Sequence, residues 1–165
     1  GSAIRHGFRE ALALEADAVG MLDADGTYNP AEMTRLLKAL TNHDVVVGDR
    51  LNGDIAPDSM TRMNYVGNHL LTWFATALFG VTTSDVCSGY WAFHRTAIET
   101  LMLNSRSFEI EAEMFASMVH RSIPFGFVPI SYRTRLGEAK LGSTADGWAI
   151  LRKLITRRIL PNPLL

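Results

Sequence analysis

The sequence has little of three features that often indicate a protein's class: cysteine, net charge and long apolar stretches. It contains one cysteine, Cys87, which excludes an intramolecular disulfide and favours a reducing compartment. Its net charge of −1 gives no electrostatic reason to expect a nucleic-acid partner. No stretch approaches the roughly 18 to 20 uninterrupted apolar residues of a membrane-spanning helix, and no charged-then-apolar leader opens the chain. We therefore expect a soluble or at most peripheral protein that binds no nucleic acid.

The composition and the hydrophobic pattern indicate an α/β domain. With 165 residues, 47% of them hydrophobic, the chain is long enough to bury a core. Amphipathic segments and short apolar runs alternate in the order helix, strand, helix, strand, and this alternation favours a parallel sheet covered by helices. The predicted strands are residues 18–22, 44–48, 89–93 and a strand within 125–135, which Pro129 assigns to an edge or irregular position.

Helical periodicity predicts six helices around these strands. One of them opens at Pro30, with Asn29 as its cap and with a core face of Met33, Leu36, Leu37 and Leu40. The polar, breaker-rich residues 52–58 predict a mobile loop. The other predicted helices are residues 3–16, 59–79, 96–103, 110–121 and 146–160.

An acidic pair follows the first predicted strand. Asp23 and Asp25 lie in a turn at its carboxyl end, where open α/β sheets bind ligands. Two adjacent carboxylates repel each other unless a cation or hydrogen-bond donors compensate. Oxygen ligands with room for phosphate oxygens suit Mg²⁺ or Mn²⁺. An Asp-x-Asp-Gly turn can also simply cap the following helix, so the turn alone leaves a metal site and a structural cap open.

Two enzyme classes place an Asp-x-Asp motif in this position. Residues 22–27 resemble the nucleophile loop of haloacid-dehalogenase-like phosphatases, and residues 48–54 resemble their later acidic metal motif. Those enzymes need a phosphate-binding Ser or Thr and a Lys between the two motifs. Here only Lys38 lies between them, on a short helix, with too few residues for the intervening strands. The layout argues against the phosphatase, which we keep as an alternative.

Five blocks in order carry a second resemblance, which covers residues 1 to about 153. Residues 1–7 resemble a Gly-rich helix start, and Asp23-Ala24-Asp25 resembles a metal motif followed by Pro30-Ala31-Glu32. The later blocks are the strand end 46–50, the Asp-x-x-Ser-Gly block 84–90 and the basic loop 133–141. In this order the chain resembles family-2 glycosyltransferases of the polyprenyl-phosphate type, such as dolichyl-phosphate mannose synthase. Asp49 stands where that family usually has a small residue, and Ala139 stands where Ser is common.

The resemblance implies a partial GT-A fold, a Rossmann-like mixed sheet flanked by helices and followed by an amphipathic C-terminal helix. It implies an enzyme that moves a hexose from a GDP- or UDP-sugar to polyprenyl or dolichyl phosphate, with inversion and with Mg²⁺ or Mn²⁺. The processive-synthase signature Gln-x-x-Arg-Trp is absent. The family's opening strands, which hold the base and ribose, are also absent, so we expect an incomplete donor pocket and a chain that is inactive unless those strands are supplied.

The matching positions imply roles for individual residues. Asp25 would bind the metal ion. Asp23, beside it, would contact both the metal ion and the nucleotide-sugar donor. Arg50 and Asp85 are the predicted catalytic residues, Asp85 orienting the acceptor or the transferred sugar. The alternative for each arginine is an ordinary solvent-exposed side chain, and the alternative for Asp85 is a structural residue that caps the loop. Since guanidinium forks bind phosphate bidentately, the predicted phosphate clamps are Arg50, Arg62, Arg135 and, with an ammonium, Lys140.

The chain is predicted to have a catalytic, acceptor-side part, residues 1–145, and a second part, residues 146–165, formed by the amphipathic last helix. Its apolar stripe and adjacent cations suit a helix on an anionic membrane, so we expect a cytoplasmic protein at the inner face of the membrane. Helix 59–79 is expected to border the lipid path. The stripe equally fits packing on the core or in a homo-oligomer, and a non-catalytic membrane or oligomerisation module is the alternative function. The stripe and cations are Trp148, Leu151, Leu154, Ile155 and Ile159, with Arg152, Lys153, Arg157 and Arg158.

Overall fold

The computed structural model describes residues 1–137 and 144–162. Within them, one sheet contains β1 (Ala18–Leu22), β2 (Val45–Ile55), β3 (Tyr90–His94) and β4 (Phe125–Tyr132), in the order β1-β3-β2-β4. β3 runs antiparallel to β1 and β2, whereas β4 runs parallel to β2. The parallel sheet expected from alternation is therefore wrong, and the mixed sheet is confirmed. The chain re-enters at the carboxyl end of β1, because Tyr90, the first residue of β3, pairs with Leu22, the last of β1.

The helices follow the predicted segments with shifted ends. Asn29 caps a short 3₁₀ turn, Pro30–Glu32, by accepting a hydrogen bond from Ala31 N at 3.2 Å, as predicted. The third helix starts later than expected because Thr61 accepts a hydrogen bond from Asn64 N, and it ends at left-handed Gly80. The helices are α1 (Ser2–Ala13), α2 (Met33–Ala39), α3 (Arg62–Phe79), α4 (Arg95–Thr100), α5 (Ile110–His120) and α6 (Thr144–Ile159).

The sheet separates two apolar cores. Alternate residues of β2 face opposite sides, so Val45 and Val47 join one core while Val46 joins the other. The larger core contains residues of α1 and of α3 to α6, and the smaller one contains α2 residues. Leu36 is fully buried there, but Leu37, predicted on the core face, is 41% exposed. Both faces of the sheet are thus covered, which gives three layers.

The second strand is longer than the sequence predicted. Residues 52–55 were expected in a mobile loop, but β2 continues through them to Ile55 after a register shift between Asp49 and Asp54. Asp49 stabilises the shift by accepting hydrogen bonds from Asn52 N and Nδ2, at 3.0 and 2.8 Å. Gly53 is required there, because a Cβ would overlap the Ile130 carbonyl of β4. A side-chain cap and a glycine therefore keep a polar segment in the sheet.

One side of the last helix, α6, packs against the larger core. Leu154 is fully buried, and Arg157, expected among the cations beside a membrane-facing stripe, lies buried against Glu113 of α5. Glu113 also accepts hydrogen bonds from the backbone N–H groups of Asn104 and Ser105. The opposite side of α6 exposes Trp148, Ile155 and Ile159, so the expected single stripe divides between core and surface. Among the described helices, none combines the length and apolarity needed to cross a bilayer.

Candidate functional site

The acidic turn after β1 holds Asp25 in its ionised form. One carboxylate oxygen of Asp25 accepts hydrogen bonds from Thr27 N at 3.0 Å and Thr27 Oγ1 at 2.5 Å. The other oxygen lies 2.6 Å from Arg135 Nη1. Partial burial opposes ionisation, but the Thr27 hydrogen bonds and the Arg135 charge outweigh it and hold the pKa of Asp25 below its ordinary value. Asp25 is therefore already compensated without a metal ion.

Asp23 lies in a different environment from Asp25. Its carboxylate reaches solvent, yet desolvation by the surrounding protein and then the charge of Asp25 raise its pKa, against the opposing charges of Arg135 and Arg50. Among the described residues, no donor makes a hydrogen bond to the Asp23 carboxylate. A cation between the two carboxylates would relieve their repulsion.

The donor set fits a divalent ion that is shared with a ligand. The described residues contain no group of three or more His, Cys, Asp or Glu side chains placed to hold a metal. An ion at this turn would take Asp23 and Asp25 and complete its shell with water or phosphate oxygens. Mg²⁺ is commonly bound in this way, through one or two carboxylates and substrate phosphates.

Small residues opposite the turn make room for Asp23. A Cβ on Gly89 would overlap the Asp23 carboxylate, so any other residue here would force the Asp23 side chain to move. Gly89 N donates a 2.8 Å hydrogen bond to the hydroxyl of Tyr28, which fixes the loop before β3 against the end of the acidic turn. The glycine of the predicted Asp-x-x-Ser-Gly block thus has a steric role.

Arg50 and Asp85 form a buried ion pair. Arg50 donates from Nε and Nη2 to the two Asp85 oxygens at 2.7 and 2.8 Å, and its side chain is 8% exposed while that of Asp85 is inaccessible. Asp85 also accepts from the backbone N of Arg50 and of Cys87. The Arg50 guanidinium lies 5.4 Å from the centre of the Tyr132 ring. The two predicted catalytic residues therefore lie together, with Asp85 fully paired.

The other predicted phosphate clamps lie at separate places. Arg135 pairs with Asp25, whereas Arg62 is exposed on the first turn of α3. Lys140 lies outside the described residues. Cys87 lies beside Asp85, where burial, with the Asp85 charge adding, raises the pKa of its thiol to about 12. Their roles in binding remain predictions.

Glu111 belongs to the same region, and the sequence analysis missed it. It lies in the first turn of α5, and desolvation raises its pKa to about 8; the Asp23 charge adds to this, and the Arg50 charge opposes it. Asp23 and Glu111 are thus close enough to influence each other's charge. The signal available in the sequence was an acidic residue on a helix whose other side chains are mostly apolar.

The raised pKa of Glu111 predicts a pH-dependent stability. In the folded chain the carboxyl stays protonated to about pH 8, whereas its ordinary pKa is 4.5. Its contribution to stability is therefore complete below pH 4.5 and is lost as the pH rises to about 8. We expect the free energy of unfolding to fall between pH 5 and pH 9, and to fall less in Glu111→Gln. Urea unfolding at several pH values measures both slopes, and equal slopes would contradict the assignment.

Residues 1–102 match the protein-family model described as Glycosyl transferase family 2. The chain belongs to glycosyl transferase family 2. This membership confirms the second resemblance over the phosphatase. The family-2 chain is 37% identical to glycosyltransferase AglJ of Haloferax volcanii, over 99% of its own length and 55% of the relative's.

Two further proteins support the family and the fold. The family-2 chain is 30% identical to the dolichyl-phosphate hexose transferase of Haloferax volcanii, over 87% of its own length and 62% of the relative's. Its fold matches glucosyl-3-phosphoglycerate synthase from Mycobacterium tuberculosis with a TM-score of 0.65 and 16% identity, over 95% of this chain and 54% of that one. The GT-A-type architecture expected from the sequence is confirmed, and the chain spans little more than half of its relatives' length.

Proposed function

We propose that the chain is the acceptor-side part of a glycosyltransferase that moves a hexose from a GDP- or UDP-sugar to a polyprenyl or dolichyl phosphate, with inversion. The observation that carries this proposal is the acidic turn, in which Asp23 lacks a hydrogen-bond donor among the described residues while Asp25 is held ionised. Family membership supplies the class of reaction, and the relative named dolichyl-phosphate hexose transferase supports the lipid acceptor.

The residues at the turn suit the binding of a diphosphate. Asp23 and Asp25 would hold Mg²⁺ or Mn²⁺, which when bound offsets the charge that develops on the leaving diphosphate. Arg135, next to Asp25, is placed to contact the same phosphates, and we assign Lys140 to this group from its sequence position. A phosphate acceptor is already an anion near neutral pH, so the protein has to position charges more than to remove a proton.

Arg50 and Asp85 serve this reaction from a buried position. Their ion pair fixes the loop that precedes β3, and that loop places Gly89 against the Asp23 carboxylate. The Arg50 charge also acts on Asp23 and favours its ionised form. We therefore propose that the pair holds the acidic turn and the acceptor side in a fixed relative position.

The long helix α3 provides an apolar path for the lipid chain. Met63, Val66, Leu70 and Trp73 recur on one face at helical spacing and are all more than half exposed. Thr72 of the same helix accepts a hydrogen bond from Val86 N, next to Asp85. The buried face of α3 thus contacts the loop that carries the proposed acceptor residue, while the stripe lies on the exposed face of the same helix. Exposed apolar area of this kind marks a lipid or protein contact.

The exposed side of α6 supports attachment at the inner, cytoplasmic face of a membrane. Trp148, Ile155 and Ile159 lie on its surface, and Arg152 and Arg158 beside them are exposed. An apolar face with adjacent cations binds anionic bilayers through buried area and charge together. Both helices would then meet the same bilayer that holds the acceptor.

Calorimetry with Mn²⁺ and either GDP or UDP tests the proposed function. We expect the chain to bind Mn²⁺ together with the nucleotide, and Asp25→Ala to weaken this binding by more than the roughly 10- to 100-fold that loss of an outer-shell partner costs. Asp54→Asn, which neutralises an exposed carboxylate of β2, is the matched control and should bind as the unaltered chain does.

Two results would contradict the proposal. The first is an absence of Mn²⁺ binding with either nucleotide, both by the unaltered chain and by the chain supplied with the family's opening strands. The second is equal binding by Asp25→Ala and Asp54→Asn, which would place the ion elsewhere. The first result would favour the non-catalytic membrane or oligomerisation module.

A further inference from the structure

Arg135 lies directly against the carboxylate of Asp25, which the proposed function assigns to a metal ion. Its Nη1 lies 2.6 Å from Asp25 Oδ2, and the side chains of Arg135 and Asp25 are only 28% and 18% exposed. The second oxygen of Asp25 is bound by the backbone and hydroxyl of Thr27. Both oxygens of the carboxylate are therefore in use before any ion arrives.

The backbone around Arg135 is fixed against the acidic turn. Arg133 N donates to the carbonyl of Thr27 and Leu136 N donates to the carbonyl of Asp25, both at 2.8 Å. Gly26, with φ of 83°, allows the approach, because a Cβ there would meet the Leu136 side chain at 2.8 Å. These bonds lie on both sides of Arg135, so its side chain can turn while its backbone stays in place.

We propose that Arg135 is the resident counter-ion of the metal-free site, which a divalent ion displaces from Asp25 so that the guanidinium turns to the phosphates of the incoming ligand. This inference rests on the proposed function, because it concerns the same site. The guanidinium lies 2.6 Å from one Asp25 oxygen, so its positive charge repels a divalent ion at the same carboxylate and the two cations compete for it. A guanidinium fork that loses a carboxylate finds an equivalent partner in phosphate.

The exchange makes the binding of metal and phosphate cooperative. Without phosphate, the ion must compete with Arg135, and the released guanidinium has no anionic partner. With diphosphate present, Asp23 and Asp25 would hold the ion, which would offset the charge of the phosphates, while Arg135 would pair with a phosphate group. Each ligand therefore favours the other by the same factor, as thermodynamic linkage requires. The site would thus bind the metal–diphosphate complex in preference to the free ion.

Mn²⁺ binding to Arg135→Gln tests the exchange, with electron paramagnetic resonance of the free ion as the readout. We expect Arg135→Gln to bind Mn²⁺ alone about fivefold or more tightly than the unaltered chain, a coupling of ordinary size. With Mn²⁺ present, the same variant should bind inorganic pyrophosphate more weakly. A gain in metal affinity cannot arise from a damaged fold, so this readout separates the exchange from a structural role.

Arg133→Gln is the matched control, because Arg133 is exposed on the same segment and its side chain makes no ion pair with the described residues. An equal gain in Arg133→Gln and Arg135→Gln would reduce the effect to net charge and overturn the exchange. Unchanged or weaker Mn²⁺ binding by Arg135→Gln would overturn it as well. Asp25→Ala distinguishes the two proposals: if it abolishes Mn²⁺ binding while Arg135→Gln has no effect, the metal site stands and only the exchange fails.

Discussion

Replacing Arg50 by methionine is expected to destabilise the chain by about 3 to 5 kcal/mol, the usual result of removing one partner of a buried ion pair. Asp85 would remain without any exposed surface and without the two guanidinium hydrogen bonds that now compensate its charge. Its two backbone donors, the N–H groups of Arg50 and Cys87, would be left to hold a buried carboxylate alone. Urea unfolding followed by circular dichroism measures the loss.

A second substitution shows whether the uncompensated charge is the cause. Asp85→Asn removes the charge and keeps an oxygen acceptor for one of the two backbone donors, which bond to different Asp85 oxygens. The double variant with Arg50→Met should therefore be about 1 kcal/mol more stable than Arg50→Met alone. Arg62→Met is the control, because the exposed arginine should change stability by no more than about 0.5 kcal/mol. If Arg50→Met costs no more than Arg62→Met, the pair does not stabilise the fold.

Removing exposed apolar side chains from α3 or α6 is expected to abolish most of the binding to lipid vesicles. Leu70 and Trp73 of α3 are 60% and 69% exposed, and Trp148 and Ile159 of α6 are 66% and 71% exposed. Burial of one such side chain is worth roughly 1.5 to 3 kcal/mol when complete. Replacing either pair with serine should therefore weaken binding by about 100-fold or more. Sedimentation with vesicles of phosphatidylcholine and phosphatidylglycerol measures it.

The control for the vesicle experiment removes apolar area elsewhere on the surface. Leu14 and Phe108 are also exposed but lie outside α3 and α6, so replacing both with serine should leave vesicle binding unchanged. Added salt should weaken binding through α6 more than through α3, since Arg152 and Arg158 are exposed beside the α6 stripe. If the control pair has the same effect as the helix pairs, the proposed membrane face would be excluded.

Local sequence signals predicted the elements whose causes are local. The Asn29 cap, the edge position that Pro129 requires and the Asp23 turn all depend on a few adjacent residues, and the structure has each of them. The direction of β3 was not predictable from alternation, because it depends on where the loop after α3 returns the chain. The length of β2 was missed because its polar end is held by the Asn52 and Asp49 side chains.

The candidate site was predictable as a set of residue types, but its pairing was not. The motifs selected Asp25, Asp85, Arg50 and Arg135 as separate groups, and the fold joins them into two ion pairs. These pairs connect residues 35 and 110 positions apart along the chain, so no local pattern indicates them. The same holds for Arg157, whose burial depends on a partner in another helix.

The cysteine that is alone in the sequence has a practical consequence. Alkylating reagents attack the thiolate, and with a pKa of about 12 the Cys87 thiol supplies almost none at pH 7 to 8. A cysteine introduced at an exposed position, such as Leu70 on α3, would therefore be the one readily modified thiol of the chain. A spin label or fluorophore can thus be attached to a chosen helix face while the native cysteine, and the buried ion pair beside it, stay unaltered.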